Sequence, residues 1–169
     1  MLSWVAPAAA LSSVSWLSLL VAAPVLSAPI AGILYAAGSL LCHQIPERSF
    51  YVAGFQLPVC ARCLGLYAGG ALGSTAVVVA GWTFRIRHPA ALGQRSLYVA
   101  TLLAAVPTMA TVVIEWGMGW PVSNAARAAA AVPLAAVVAF VVMRAVATLH
   151  YDECAPRRPI GHGQPPANT

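Results

Sequence analysis

Residues 61–82 read ARCLGLYAGGALGSTAVVVAGW, with Arg62 the single charged side chain among 22 positions. As an α-helix rising about 1.5 Å per residue, this stretch crosses the roughly 30 Å hydrocarbon core of a bilayer. Two comparable stretches follow, over 96–118 with Pro107 inside and over 124–149 with Pro133 inside. Proline is tolerated in membrane helices because neighbouring groups satisfy the freed carbonyls. Upstream, Trp4 to Leu41 carries no charge. It is too long for one span and too short for two with a turn, and Pro24, Ser27 and Pro29 break it. The expectation is a span over 8–27 and a short interfacial or re-entrant helix over 29–41. A span is preferred to a secretory leader, because no positive residue precedes the apolar run and Leu26-Ser27-Ala28 leads into Pro29.

Composition agrees. Of 169 residues, 60% are hydrophobic and 8% charged, against about 25% charged in ordinary soluble domains. Four acids and nine arginines cannot build a water-facing surface, so a soluble monomer is excluded, and so is a disordered chain. The net charge of +5 does not imply nucleic acid: there is no lysine and no basic run. The predicted fold is an all-α polytopic membrane bundle of about four spans over residues 1–150, followed by a disordered cytoplasmic tail over 151–169.

Arginine counting orients it. Arg85, Arg87, Arg95, Arg144, Arg157 and Arg158 fall on one side, and Arg48, Arg62 and Arg127 on the other. The positive-inside rule then puts both termini in the cytoplasm of a prokaryotic cell and segment 42–60 outside the cytoplasmic membrane. Gly65, Gly69 and Gly73, four apart, form a small-residue strip for close helix packing, and the alanine-rich run 125–139 can pack equally tightly. The expected partners are the lipid bilayer and further copies of the chain as a homo-oligomer.

Chemistry concentrates in one place. Cys42-His43-Gln44-Ile45-Pro46-Glu47-Arg48-Ser49 is followed by Cys60-Ala61-Arg62-Cys63-Leu64-Gly65-Leu66-Tyr67, so three of the four cysteines lie within 22 residues. The topology carries Glu115, Asn124 and Arg127 to the same side. Ionisable groups in spans are costly and normally face the bundle interior and pair. The expected cluster is therefore Cys42, His43, Gln44, Glu47, Arg48, Cys60, Arg62, Cys63, Glu115, Asn124 and Arg127.

The Cys-His-Gln-x-Pro-x-Arg-Ser and Cys-Ala-Arg-Cys-x-Gly-x-Tyr motifs resemble a family of prokaryotic membrane proteins known as domain of unknown function twenty eighty-five. The likeness covers most of residues 30–140, including the third-span acid and Ser123-Asn124-x-x-Arg127. It departs at Glu115, where the family pattern has aspartate, and at Leu64, where threonine is usual. The resemblance implies a multi-span membrane protein and carries no activity.

Three chemistries fit the cluster. The first is a transition-metal site, zinc or iron, on Cys42, His43, Cys60 and Cys63, with Glu47 or Glu115 as a further ligand. Adjacent Cys42 and His43 make an awkward pair on one ion, and only one C-x-x-C is present. The second is thiol–disulfide exchange, with Cys60 as nucleophile at a helix N-terminus, Cys63 as its partner and Cys42 as a relay. The third is a stabilising disulfide from Cys42 to Cys60 or Cys63, with arginine–glutamate pairs clamping the bundle. A transporter ranks below these, since no inverted repeat is evident. His88 and His150 read as loop or interfacial residues and Cys154 as an idle thiol.

Overall fold

The computed structural model describes residues 4–83 and 93–154. Helix α1 (Val5–Ala22) is followed by a 3-10 turn (Ala23–Val25), α2 (Ala28–Ser39), a second 3-10 turn (Pro46–Arg48), strands β1 (Ser49–Val52) and β2 (Phe55–Cys60), and helices α3 (Ala61–Thr83), α4 (Gln94–Gly117) and α5 (Asn124–Cys154). Four of these helices, α1, α3, α4 and α5, are long and apolar enough to cross a membrane. The fold is an α-helical membrane bundle.

Each element has a local cause. In α1 the hydroxyls of Ser12, Ser13 and Ser18 donate to the carbonyls of Ala8, Ala9 and Val14, four residues back, which satisfies these three polar groups within the helix. Pro24 sits in the 3-10 turn, and Ser27 is extended (φ −60°, ψ 145°) before α2, whose first turn accommodates Pro29. At 12 residues α2 is about 18 Å long and cannot span. Pro107 and Pro133 are both carried inside their helices. α5 continues through Cys154, so residues 151–154 of the expected disordered tail are helical. The remainder of that tail, with Cys154's side chain, His150's side chain and His88, lies outside the described residues or side chains.

The expected loop over 42–60 contains an antiparallel hairpin. Tyr51 pairs with Gln56 and Val52 with Phe55, and a bulge separates these from the Ser49–Cys60 pair. The turn residues Ala53 (φ 52°) and Gly54 (φ 83°) both have positive φ, the backbone twist that two-residue hairpins require. β2 buries Leu57, Pro58 and Val59 against the ends of α1 and α2.

The tightest packing joins α3 to α5. A Cβ on Gly65, Gly69 or Gly73 would overlap the backbone of Ala128, Val132 or Ala136 respectively. The glycine strip thus lets two membrane helices approach at backbone distance. Gly69→Ala is expected to lower stability by about 1–3 kcal/mol, whereas Gly70→Ala, whose Cβ meets nothing, should be near neutral. Thermal unfolding in detergent compares the two.

Candidate metal centre

The C-terminal end of α1, the end of α2, the hairpin, the start of α3, the end of α4 and the start of α5 meet at one end of the bundle. Val59, Leu20 and Cys42 form a buried core there, with Trp16, Cys60, Cys63, Leu64 and Tyr67 packed on it. Trp16 and Tyr67 meet edge to face at 6.3 Å.

Three sulfurs converge on this core. Cys42 arrives from the turn after α2, Cys60 from the last position of β2 and Cys63 from the first turn of α3. Their sulfurs all lie within 4.8 Å of one another, and none is disulfide-bonded. Three thiolates around one ion at about 2.3 Å need sulfurs about 3.8–4.0 Å apart, so closure requires movements under an ångström. The Cys42 sulfur is buried and accepts the backbone N–H groups of Cys60 at 3.1 Å and Gln44 at 3.5 Å.

Gln44 fixes this geometry. Its φ is +50°, and its Nε2 donates to the carbonyls of Tyr35 and Pro58, both at 2.8 Å. Gln56 Nε2 returns a bond to the Gln44 carbonyl at 2.7 Å and another to Ser49 Oγ at 3.1 Å. The Tyr35 hydroxyl donates to the Gln56 carbonyl. Gly38 is required beside this network because a Cβ there would overlap the Pro58 carbonyl.

The charged residues form a neighbouring triad. Glu115 is almost fully buried, with a side chain 4% exposed. Arg62 Nη2 reaches its Oε2 at 2.9 Å, and Arg127 Nε reaches its Oε1 at 2.6 Å. Arg127 Nη1 also donates to Asn124 Oδ1 at 2.5 Å, and Asn124 Nδ2 donates to the Ser49 carbonyl at 2.9 Å, which ties α5 to the hairpin. Thr111, one turn before Glu115, accepts from Arg62 at 3.3 Å.

The other expected site residues are placed as follows. Glu115 has both oxygens engaged by arginines rather than turned to the sulfurs. Glu47 is exposed on its 3-10 turn. His43 is exposed, and it lines the same cavity of about 210 Å³ as the three cysteines, Arg48, Arg62 and Arg127. Among the described residues, the group that can share one ion is the cysteine triad, without His43, Glu47 or Glu115. Sequence reasoning missed Tyr35, Gln56 and Thr111. Thr111 was legible in principle, because positions four apart share a helix face with Glu115.

Cys60 lies just before the α3 span. The hydrogen bond from the Cys63 thiol, assisted by Cys42 and by the N–H groups of Cys63 and Arg62, outweighs burial and lowers the Cys60 thiol to about 5. A depressed value means that the thiolate persists as pH falls. Alkylation of Cys60 in reduced, metal-stripped protein is therefore expected to stay flat from pH 8 to about 6 and to halve near pH 5. An unperturbed thiol would already have lost most of its reactivity by pH 7, which peptide mass spectrometry after iodoacetamide pulses would reveal.

The family described as Predicted membrane protein (DUF2085) matches residues 42–146, which hold the three cysteines and the triad. An uncharacterized protein of Methanocaldococcus jannaschii, MJ1492, is 55% identical over 40 residues, covering 24% of this chain and 26% of that protein. An uncharacterized protein of Methanothermobacter thermautotrophicus is 52% identical over 29 residues, 17% of this chain and 26% of the relative. The matched stretches span about a quarter of the length of these curated relatives. No solved structure matches. With the match reaching from the first cysteine of the cluster to the end of the fourth candidate span, the chain belongs to this family of predicted membrane proteins.

Proposed function

We propose that this protein holds one zinc or iron ion on Cys42, Cys60 and Cys63, at the extracytoplasmic face of a prokaryotic cytoplasmic membrane. The observation that carries the reading is three unbridged sulfurs from three separate elements within 4.8 Å of one another, one of them already accepting two N–H groups. Soft thiolate donors suit zinc, copper(I) and iron, and a three-ligand protein set leaves a fourth position for water or an exogenous ligand. His43 lines the same cavity but stands outside the sulfur group. The sidedness rests on the arginine distribution, with both termini cytoplasmic.

Metal analysis of protein purified without chelators tests the reading: about one ion per chain is expected. Cobalt(II) replacement should add intense thiolate-to-metal charge-transfer bands in the near ultraviolet. Absence of both would overturn it.

A second reading, thiol–disulfide exchange, is favoured by the lowered Cys60 thiol and its contact with Cys63. Cys60 thiolate would attack one sulfur of a partner disulfide, expelling the other as thiolate. Cys63 would then displace the bound partner thiol, leaving a Cys60–Cys63 disulfide and a fully reduced partner. Metal-free protein that reduces a disulfide-linked probe stoichiometrically, and loses this in Cys60→Ser, would establish that alternative.

A further inference from the structure

We propose that the cavity beside the cysteines binds a phosphate oxyanion, with the headgroup of a membrane phospholipid as its source. The inference stands whether or not the cysteines carry an ion. Arg48, Arg62 and Arg127 line the cavity and no carboxylate does. Arg127 is spent on Glu115 and Asn124. Arg62 gives one terminal nitrogen to Glu115 and Thr111, but its Nε is fully buried with no hydrogen-bond partner. Arg48 is half-buried and has no ion pair among the described residues, its sequence neighbour Glu47 being exposed. The unmade bond on the buried Arg62 Nε is a cost that a ligand bond would relieve, and Arg48, without an ion pair among the described residues, is the guanidinium most available to a ligand.

Charge points the same way. Three guanidiniums against the one carboxylate of Glu115 leave two positive charges. Three thiolates closed on a divalent ion would remove one of them and neutral thiols none. A phosphodiester, carrying one negative charge, offsets what remains when an ion is bound and half of it when the thiols are neutral, and guanidinium forks match phosphate oxygens well.

Depth and shape favour a lipid source. Arg62 is the second residue of the α3 span and Arg127 the fourth of the α5 span, which sets them at the level where bilayer phosphates lie. A volume of about 210 Å³ holds a phosphate with a few waters, at roughly 30 Å³ each, but no acyl chain. The apolar rim, Leu41 at 76% exposed, Ile45 at 39% and Leu66 at 38%, offers chains a path outward to the hydrocarbon.

Native mass spectrometry of the full chain in detergent, titrated with phosphatidylglycerol, is the test, with diacylglycerol of the same tails as a phosphate-free control. One phosphatidylglycerol per chain should be retained and the diacylglycerol lost. Arg48→Gln, which breaks no ion pair among the described residues, should weaken retention about tenfold or more, and Arg62→Gln likewise. If inorganic phosphate alone raises the melting temperature and displaces the lipid, the site stands with free phosphate as its source. If the lipid survives tens of millimolar phosphate, the headgroup is the source. Equal retention of both lipids, retention unchanged in both arginine variants, or no binding of lipid or phosphate would overturn the proposal.

Discussion

Cys60→Ser is expected to take bound metal from about one ion per chain to below about a tenth, the largest effect of any single change in this protein. Structural zinc sites contribute about 10–16 kcal/mol over four ligands, so each thiolate accounts for roughly 3 kcal/mol, a factor above one hundred in affinity. Serine keeps the shape of the side chain, and Cys60 is only half-buried, so the fold should persist and the loss should report the ligand itself. Cys63→Ser should behave in the same way. Cys42→Ser should also cost stability, because the buried Cys42 sulfur is the acceptor for two backbone N–H groups. His43→Ala is expected to keep the ion with a much smaller loss, since the exposed imidazole stands outside the sulfur group and water can replace it. Metal content after dialysis against a graded series of chelators separates these cases. Full occupancy in Cys60→Ser would remove the cysteine triad from consideration as a metal site.

The bundle was legible because a membrane span announces itself by length and lack of charge, both properties of consecutive residues. The glycine strip was legible for a related reason: a four-residue repeat maps onto one helix face without knowledge of the partner. Which helix covers that face is a tertiary fact, and only the structure pairs Gly65 with Ala128 and Gly73 with Ala136. The hairpin went unread because Ser49–Cys60 is short and sits inside a motif that reads as a ligand loop. Its signal was nevertheless present in Ala53-Gly54 between two apolar runs. Gathering scarce polar residues by topology brought the cysteines and the triad to one end, but it could not divide them. Glu115 is compatible with either a metal or an arginine in sequence terms. Its assignment depends on where Arg62 and Arg127 point, and that is set by the close α3–α5 approach.

Glu115→Gln should destabilise the protein by about 3–5 kcal/mol, or roughly 6–20 °C in melting temperature for a chain of this size. A buried ion pair is poor evidence of net stabilisation, because desolvation offsets most of the attraction. Breaking one is a different matter, since the survivors stay buried and unpaired. Here one carboxylate, 4% exposed, serves two guanidiniums whose side chains are 23% and 10% exposed. Glutamine removes the charge and leaves both cations facing each other across a neutral amide. Glu115→Gln combined with Arg62→Gln is therefore expected to be more stable than Glu115→Gln alone, a coupling of opposite sign to simple additivity. Glu115→Asp keeps the charge one methylene shorter and should lose less. The triad also bears on the cysteines: Arg62 lies between Cys60 and Cys63 in sequence, so freeing its side chain loosens the backbone that sets their sulfur separation. Weaker metal retention in folded Glu115→Gln protein, measured below its lowered melting temperature, is the expected companion result. A loss of stability under about 1 kcal/mol would mean that the arginines find other partners or water, and that the triad does not hold this end of the bundle together.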